Sequence, residues 1–306
     1  IFQTHMQAYE SLRDRANVVG VADVSPEKLR EATQKFFLPI TATNPDEIIK
    51  RDDVQVVDIC TPPLAHEEVI REALEAGKYV MCEKPIAHNL ATADRIIQIA
   101  AQYPGKLSIN YQLRYAPHVQ KMIWLRDQDY TGRLHYGRFT RMDRIPAEHM
   151  AKGAWWGRWN VAGGGVVMTQ FIHELDLICY LFGQPVSVSA SIDTVASGIE
   201  SEDTFSASVR FASGALVDCS GTLLGHSSLN TFDVVSEKLL MRSPWEVVSA
   251  DRGHQIVATA EVDKVYPPPP PPAPAPQPSL AHRLKRKLGL ASPTNTPAAP
   301  QKTKRN

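Results

Sequence analysis

The sequence predicts an α/β chain of two successive architectures. A doubly wound, Rossmann-type parallel sheet comes first, followed by an α+β domain with an open, mainly antiparallel sheet. Three observations predict this. Between Asn17 and Asn110 short apolar, β-branched runs alternate with helical segments, the pattern of parallel strands joined by crossover helices. Beyond Pro117 longer stretches follow, in which apolar and polar residues alternate. From Pro267 six consecutive prolines and an Ala/Pro run give a composition that favours extended, solvated backbone over a packed core. The expected division is therefore a nucleotide-binding domain over 1–116, a substrate and oligomerisation domain over 117–265, and a mobile proline-rich segment over 266–306.

In chain order, Val18–Ala22 reads as the first visible strand. Ser25 is placed to cap a helix that begins at Pro26 and runs to about Phe37. Val54–Cys60 is a second strand, and the Thr61-Pro62-Pro63 turn leads into a helix over Leu64–Ala76 that Gly77 closes. Tyr79–Cys82 is a short strand, Leu90–Gln102 a helix and Leu107–Tyr111 a further strand. Ligands of such sheets lie beyond the carboxyl ends of the strands. Functional residues are thus expected at Asp23, Thr61 to His66, Glu83 to Pro85 and Asn110 to Arg114. In the second part, a helix over Pro117–Gln128 precedes strands at Leu134–Met142, Val186–Val195, Thr204–Phe211 and Ala215–Leu224, with a hairpin at Ala212-Ser213-Gly214. A single helix over Val166–Phe182 follows three glycines, with Ile172, Leu175, Cys179 and Phe182 on its packing side and Thr169, His173, Asp176 and Tyr180 on the polar side.

Of 306 residues, 33 are basic and 33 acidic, and 43% are apolar. No clustered positive charge calls for nucleic acid, and no apolar run approaches the roughly 20 residues of a membrane span. Cys60, Cys82, Cys179 and Cys219 are widely spaced, with neither a C-x-x-C pair nor H-E-x-x-H nearby, so no metal is expected, and reduced thiols and a cytoplasmic location are. Leu280, Leu284 and Leu288 lie at helical spacing beside Arg283, Lys285, Arg286 and Lys287, which suits either a basic amphipathic helix or a mobile linker.

Three side chains could carry chemistry. Asp23, at a strand end, can accept hydrogen bonds from both ribose hydroxyls of an adenosine; the alternative is a solvated turn. Lys84, beside Pro85, can stabilise a developing alkoxide and relay its proton, although most lysines are merely solvated. His173 suits general acid/base work, the alternative being an imidazole satisfied by a neighbour such as Asp176. The cluster Trp155-Trp156-Gly157-Arg158-Trp159 either fills core or offers a sugar-stacking surface, with Trp156 and Arg158 as the substrate-side candidates.

Five segments, V-A-D-V-S-P-E (Val21–Glu27), C-T-P-P-L-A-H (Cys60–His66), C-E-K-P (Cys82–Pro85), Q-L-R-Y-A-P (Gln112–Pro117) and G-G-G-V-V-M-T-Q-F-I-H-E-L-D (Gly163–Asp176), follow one another in an order that resembles the Gfo/Idh/MocA oxidoreductases. The resemblance implies a nicotinamide-dependent enzyme whose second domain supplies the substrate pocket and the sheet through which copies associate into a homo-oligomer. It implies Lys84 and His173 as catalytic residues, Asp23 as the acid favouring NAD over NADP, and Thr61, Pro62, His66, Glu83, Lys84, Gln112 and Arg114 on the cofactor side. Thr169 stands where many members have aspartate, and Thr169-Gln170 before His173 is similar to members acting on sugars or nucleotide-linked sugars. Lys84, Thr169, Gln170 and His173 accordingly join Trp156 and Arg158 on the substrate side. The beginning of the chain resembles the helix after the family's glycine turn, with His5 near its start. The expectation is a member truncated at both ends, lacking the first strand and that turn. The expected activity is hydride transfer between nicotinamide and a secondary hydroxyl of a sugar, inositol or nucleotide sugar. An NAD-dependent glycosidase working through transient oxidation and a non-catalytic nucleotide-binding protein are the alternatives.

Overall fold

The computed structural model describes residues 1–145 and 155–242, and the backbone of 246–249. The proline-rich segment 266–306, with its leucine and arginine/lysine pattern, lies outside the described residues, as do residues 146–154 ahead of the Trp155–Trp159 cluster.

The first part contains helix α1 (Phe2–Ser11), the parallel pair β1 (Gly20–Ala22) and β2 (Ile40–Ala42), and the parallel trio β3 (Val56–Ile59), β4 (Tyr79–Cys82) and β5 (Leu107–Ile109). Helices α2 (Pro26–Phe36), α3 (Asp46–Ile49), α4 (His66–Glu75) and α5 (Leu90–Ala101) connect these strands. Local chemistry sets their limits. Ser25 Oγ accepts from Lys28 N at the start of α2, Asn89 accepts from Thr92 N at the start of α5, and Gly77 takes a positive φ of 78° after α4. Ile70, Leu74, Val80 and Ile96 are almost fully buried between α4, α5 and the trio. In register, Ile59 pairs with Cys82 and Cys82 with Ile109, so Cys60, Glu83 and Asn110 stand in a row just beyond the paired strands. The functional ends predicted for β3, β4 and β5 thus share one edge.

The second part is a seven-stranded sheet, β12-β11-β10-β6-β9-β8-β7, antiparallel except where β6 runs parallel to β9. Its strands are β6 (Leu134–Arg144), β7 (Pro185–Asp193), β8 (Thr204–Phe211), β9 (Leu216–Thr222), β10 (Leu224–Ser236), β11 (Leu239–Arg242) and β12 (Glu246–Ser249). Helix α6 (Pro117–Asp127) and the helices before β7 pack on one face, where Val119, Met122, Phe139, Leu177, Val217 and Val234 are buried. The other face is polar: Tyr136 donates to Asp218, Arg138 pairs with Asp233, and Thr140 meets Ser220. Among the described residues no single helix is long and apolar enough to cross a membrane.

The predicted helix over Val166–Phe182 is corrected. It is broken into α8 (Val166–Thr169) and α9 (Ile172–Phe182), preceded by the short α7 (Trp159–Ala162), with a 60° bend at the break. Phe171 causes the break: it is fully buried against Phe205, ring centroids 4.7 Å apart, and its N–H reaches back five residues to Val166 O. The expected packing side is also corrected. Leu177, Ile178 and Leu181 face the core, whereas Cys179 is exposed and Leu175 only half-buried. Almost every side of this helix is apolar enough to pack, so periodicity left the direction open.

The triple glycine is dictated by close approach. A Cβ on Gly163 would stand 2.3 Å from His88 O, and one on Gly165 only 1.6 Å from Glu202 O. Glu202, almost fully buried, accepts from the N–H groups of Gly165 and Val167 and fixes the start of α8. Gly165→Ala should therefore destabilise the fold by about 3 kcal/mol or more through overpacking. Gly214→Ala, at a positive φ of 87° but with open space around it, should cost about 1 kcal/mol. Denaturant unfolding of both variants checks the difference, and equal costs would contradict the close-approach account.

Candidate active site

Lys84 leaves β4 through the cis Lys84–Pro85 peptide. Its ammonium donates to the carbonyl oxygen of Thr169 at 2.6 Å. That carbonyl lies at the break between α8 and α9, where the backbone turns away from helical pairing. The lysine of the first part is thereby tied to the second. Burial, and then the like charge of Arg141, hold the Lys84 pKa below the ordinary lysine value.

His173, in the first turn of α9, is 5% exposed and faces Tyr111 edge-on with ring centroids 6.4 Å apart. Its Nδ1 is buried with no hydrogen-bond partner among the described residues. Burial, then the charges of Lys84 and Arg141, press its pKa down to about 3, so the ring is neutral. Asp176 does not satisfy it: that carboxylate receives both Nε and Nη2 of Arg114, at 2.7 and 2.5 Å. Arg114 also lies over the Tyr180 ring at 4.5 Å, so it clamps the turn after β5 to α9. Thr169 Oγ1 donates to Gly165 O at 2.6 Å, so its hydroxyl is spent on α8.

Sequence reasoning missed Arg141 on β6. Its guanidinium binds Asp143 through Nε at 2.5 Å, Glu174 through Nη1 at 3.0 Å and Gln170 through Nη2 at 3.2 Å. Glu174 and Asp143 are both buried, and burial raises the Glu174 pKa despite the guanidinium beside it. Only a strand assignment with its register, which aims Arg141 at α9, could have found this group.

On the cofactor side, Asp23 follows β1, and its Oδ1 accepts from Ser25 N at 2.8 Å. Thr61 and Gln112 are exposed, and Pro62 is half-buried. His66 has a structural position instead of an open one. It is fully buried, its Nε2 lies 3.0 Å from Thr61 O and its Nδ1 3.3 Å from Ile86 O. Burial lowers its pKa, and a neutral ring can donate to only one of these carbonyls; the shorter contact identifies Nε2–H as the donor. His66 therefore braces the Thr61 turn. Trp156 is 8% exposed within the second-part core, while Trp155 and Trp159 are each 45% exposed and Arg158 is exposed.

The neutral His173 has a consequence for stability. Its folded pKa, near 3, lies below the ordinary 6.5. As pH falls through that window the unfolded chain binds a proton that the folded chain refuses, costing up to about 1.4 kcal/mol per pH unit. In His173→Asn the loss of unfolding free energy between about pH 7 and about pH 5 should be smaller than in the parent. Equal losses would contradict a buried neutral imidazole.

Residues 1–111 match the oxidoreductase family with an NAD-binding Rossmann fold, GFO_IDH_MocA, and residues 119–241 match the GFO/IDH/MocA C-terminal domain. The sequence is 27% identical to myo-inositol 2-dehydrogenase of Thermotoga maritima over 210 residues, 66% of this chain and 60% of that protein. It is 25% identical to levoglucosan dehydrogenase of Pseudarthrobacter phenanthrenivorans over 239 residues, 70% of this chain and 61% of that one. The chain therefore spans about 60% of the length of these relatives. The WlbA dehydrogenase from Bordetella pertussis, solved with NADH and UDP-GlcNAcA, superposes with a TM-score of 0.73 at 26% identity, covering 79% of this chain and 70% of that one. With both domain matches in order along one chain, over parallel strands followed by the seven-stranded sheet, the protein belongs to the Gfo/Idh/MocA family.

Proposed function

We propose that the protein is an NAD-dependent oxidoreductase transferring hydride between nicotinamide and a secondary hydroxyl of a sugar, inositol or nucleotide sugar. The observation that carries this reading is the buried Nδ1 of a neutral His173, unpartnered among the described residues, close to the half-buried Lys84 at the carboxyl end of β4. A buried polar atom without a partner is a place for a ligand group. The named dehydrogenases among the relatives support the same class.

The residues present fit the cofactor. Thr61 and Pro62 follow β3 beside Glu83 and Lys84 at the end of β4, and Asp23 follows β1. Asp23 would hold the adenosine ribose, and its carboxylate disfavours a 2′-phosphate, hence NAD over NADP. The bound nicotinamide supplies the hydride acceptor or donor. In the oxidation direction His173 starts in the neutral state that a base requires and takes the hydroxyl proton through Nδ1. Lys84 stabilises the negative charge that develops on the same oxygen, where exclusion of water makes the interaction strong. Thr169, by fixing Lys84 through its carbonyl, and Gln170, by holding Arg141, position these groups. Trp155 and Trp159 offer the ring faces for a sugar that Trp156 does not. The cytoplasm is the proposed location, and the polar face of the seven-stranded sheet is the proposed contact between copies.

Lys84→Ala should lower turnover by about 10²–10⁴-fold while NAD affinity changes far less. NADH absorbance with a panel of sugars, inositols and nucleotide sugars checks this. Near-normal turnover in the variant would remove Lys84 from the chemistry, and aglycone release without NADH accumulation would favour the glycosidase alternative.

A further inference from the structure

His5, on α1, lies outside the groups assigned above, yet it touches them. Its Nδ1 is 2.7 Å from Asp58 Oδ2 and its Nε2 is 3.0 Å from Glu83 Oε1. An ionised carboxylate only accepts hydrogen bonds, so a ring bonded to two of them must donate from both nitrogens and is an imidazolium. All three side chains are largely buried, at 10%, 17% and 7% exposure for His5, Asp58 and Glu83. The remaining groups facing this cluster come from every neighbouring element. Tyr9 of α1 donates to Asp58 at 2.9 Å, Cys60 after β3 lies 3.5 Å from His5 Nδ1, and Asn110 after β5 donates to Glu83 Oε1 at 2.7 Å. The other Glu83 oxygen accepts the backbone N–H of Lys84 at 3.3 Å.

We propose that His5 is a positioning residue for the Lys84 site, a buried cation that keeps the Glu83 carboxylate ionised and fixed against the Lys84 backbone. Two carboxylates and one imidazolium leave a single negative charge, which balances the Lys84 ammonium. Hydrogen bonds to Asp58, Cys60 and Glu83 hold His5 protonated, its pKa pushed up to about 12. Burial works to raise the Glu83 pKa, but the bonds from His5 and Asn110 and the charges of His5 and Lys84 outweigh it, leaving that pKa below the ordinary value. Without the imidazolium, burial dominates and Glu83 takes up a proton at higher pH. Lys84 then loses the neighbouring negative charge that favours its ammonium form. His5, Asp58 and Cys60 also bring possible metal-ligating atoms within 4.8 Å of one another. The 2.7 Å separation of Nδ1 and Oδ2 is that of a hydrogen bond, which the imidazolium makes without an ion.

The catalytic consequence rests on the dehydrogenase reading; the electrostatic core does not, and it is tested first. Carbon-13 NMR of glutamate carboxyl groups in the intact chain, with Glu83→Gln to assign the signal, should show Glu83 titrating about one to three pH units higher in His5→Gln than in the parent. His5→Lys, which keeps a cation, should restore much of the parent value. Nitrogen-15 NMR of the unaltered chain should show His5 doubly protonated through the range in which a free histidine has lost its proton, a measurement that survives any folding failure of the variants. Turnover in His5→Gln should fall about 10- to 100-fold with its acid limb moved upward, while KM for NAD changes less. Unchanged Glu83 titration in folded His5→Gln, a His5 that titrates like a free histidine, or a stoichiometric zinc ion lost on substitution would each overturn the proposal. A shifted Glu83 in a protein inactive on every substrate tried would leave His5 in its role and defeat the dehydrogenase reading instead.

Discussion

The hydrogen bond from the Lys84 ammonium to the Thr169 carbonyl is the constraint on which the site depends, because it joins the end of a parallel strand to the break between two helices of the second part. Each side of that bond has its own support. Lys84 is fixed through Glu83, whose carboxylate is held by His5 and Asn110. Thr169 is fixed because α8 starts on the Glu202 carboxylate, at a glycine where any side chain would strike the Glu202 backbone, and stops where Phe171 enters the core. Gly163 lets the same segment rest on the His88 carbonyl, and the Arg114–Asp176 pair clamps the turn after β5 to α9. Burying a lysine is costly unless its protons are taken up, and the freed carbonyl meets that need in place.

Two histidines of opposite character flank this lysine. His5 sits between carboxylates and is held as a cation, whereas His173 is buried near Lys84 and Arg141 and is held neutral. The same side chain thus serves as a fixed charge on one side and as a proton acceptor on the other, and environment alone separates the roles. Their contributions to stability run in opposite directions. The pairing of His5 is fully stabilising below about pH 6.5 and is lost as pH rises toward its folded value near 12, whereas the neutral burial of His173 penalises folding as pH falls below 6.5.

Much of this was legible in the sequence. The strand over Tyr79–Cys82, the Ser25 cap and the Gly77 stop are local signals, and the structure has them where spacing and turn chemistry set them. Strand ends directed attention to Asp23, Thr61, Glu83, Lys84 and Asn110, because parallel strands share a carboxyl edge. What could not be read depends on tertiary contact. No glycine or proline marks the break at Gln170–Phe171; packing of Phe171 against Phe205 makes it. Trp156 and its tryptophan neighbours look alike in sequence, and only the fold decides which one is buried. Arg141 reaches Glu174 from a strand 33 residues earlier in the chain, a distance at which no spacing rule operates.

The most direct test of this arrangement is the titration of the Lys84 ammonium, followed by carbon-13 NMR of its ε-methylene in the intact chain and assigned with Lys84→Arg. Burial and the Arg141 charge predict that Lys84 loses its proton at distinctly lower pH than the exposed lysines. A Lys84 that titrates together with the solvated lysines would contradict the account, for it would mean that the ammonium is in water and the two parts of the site are not joined through it.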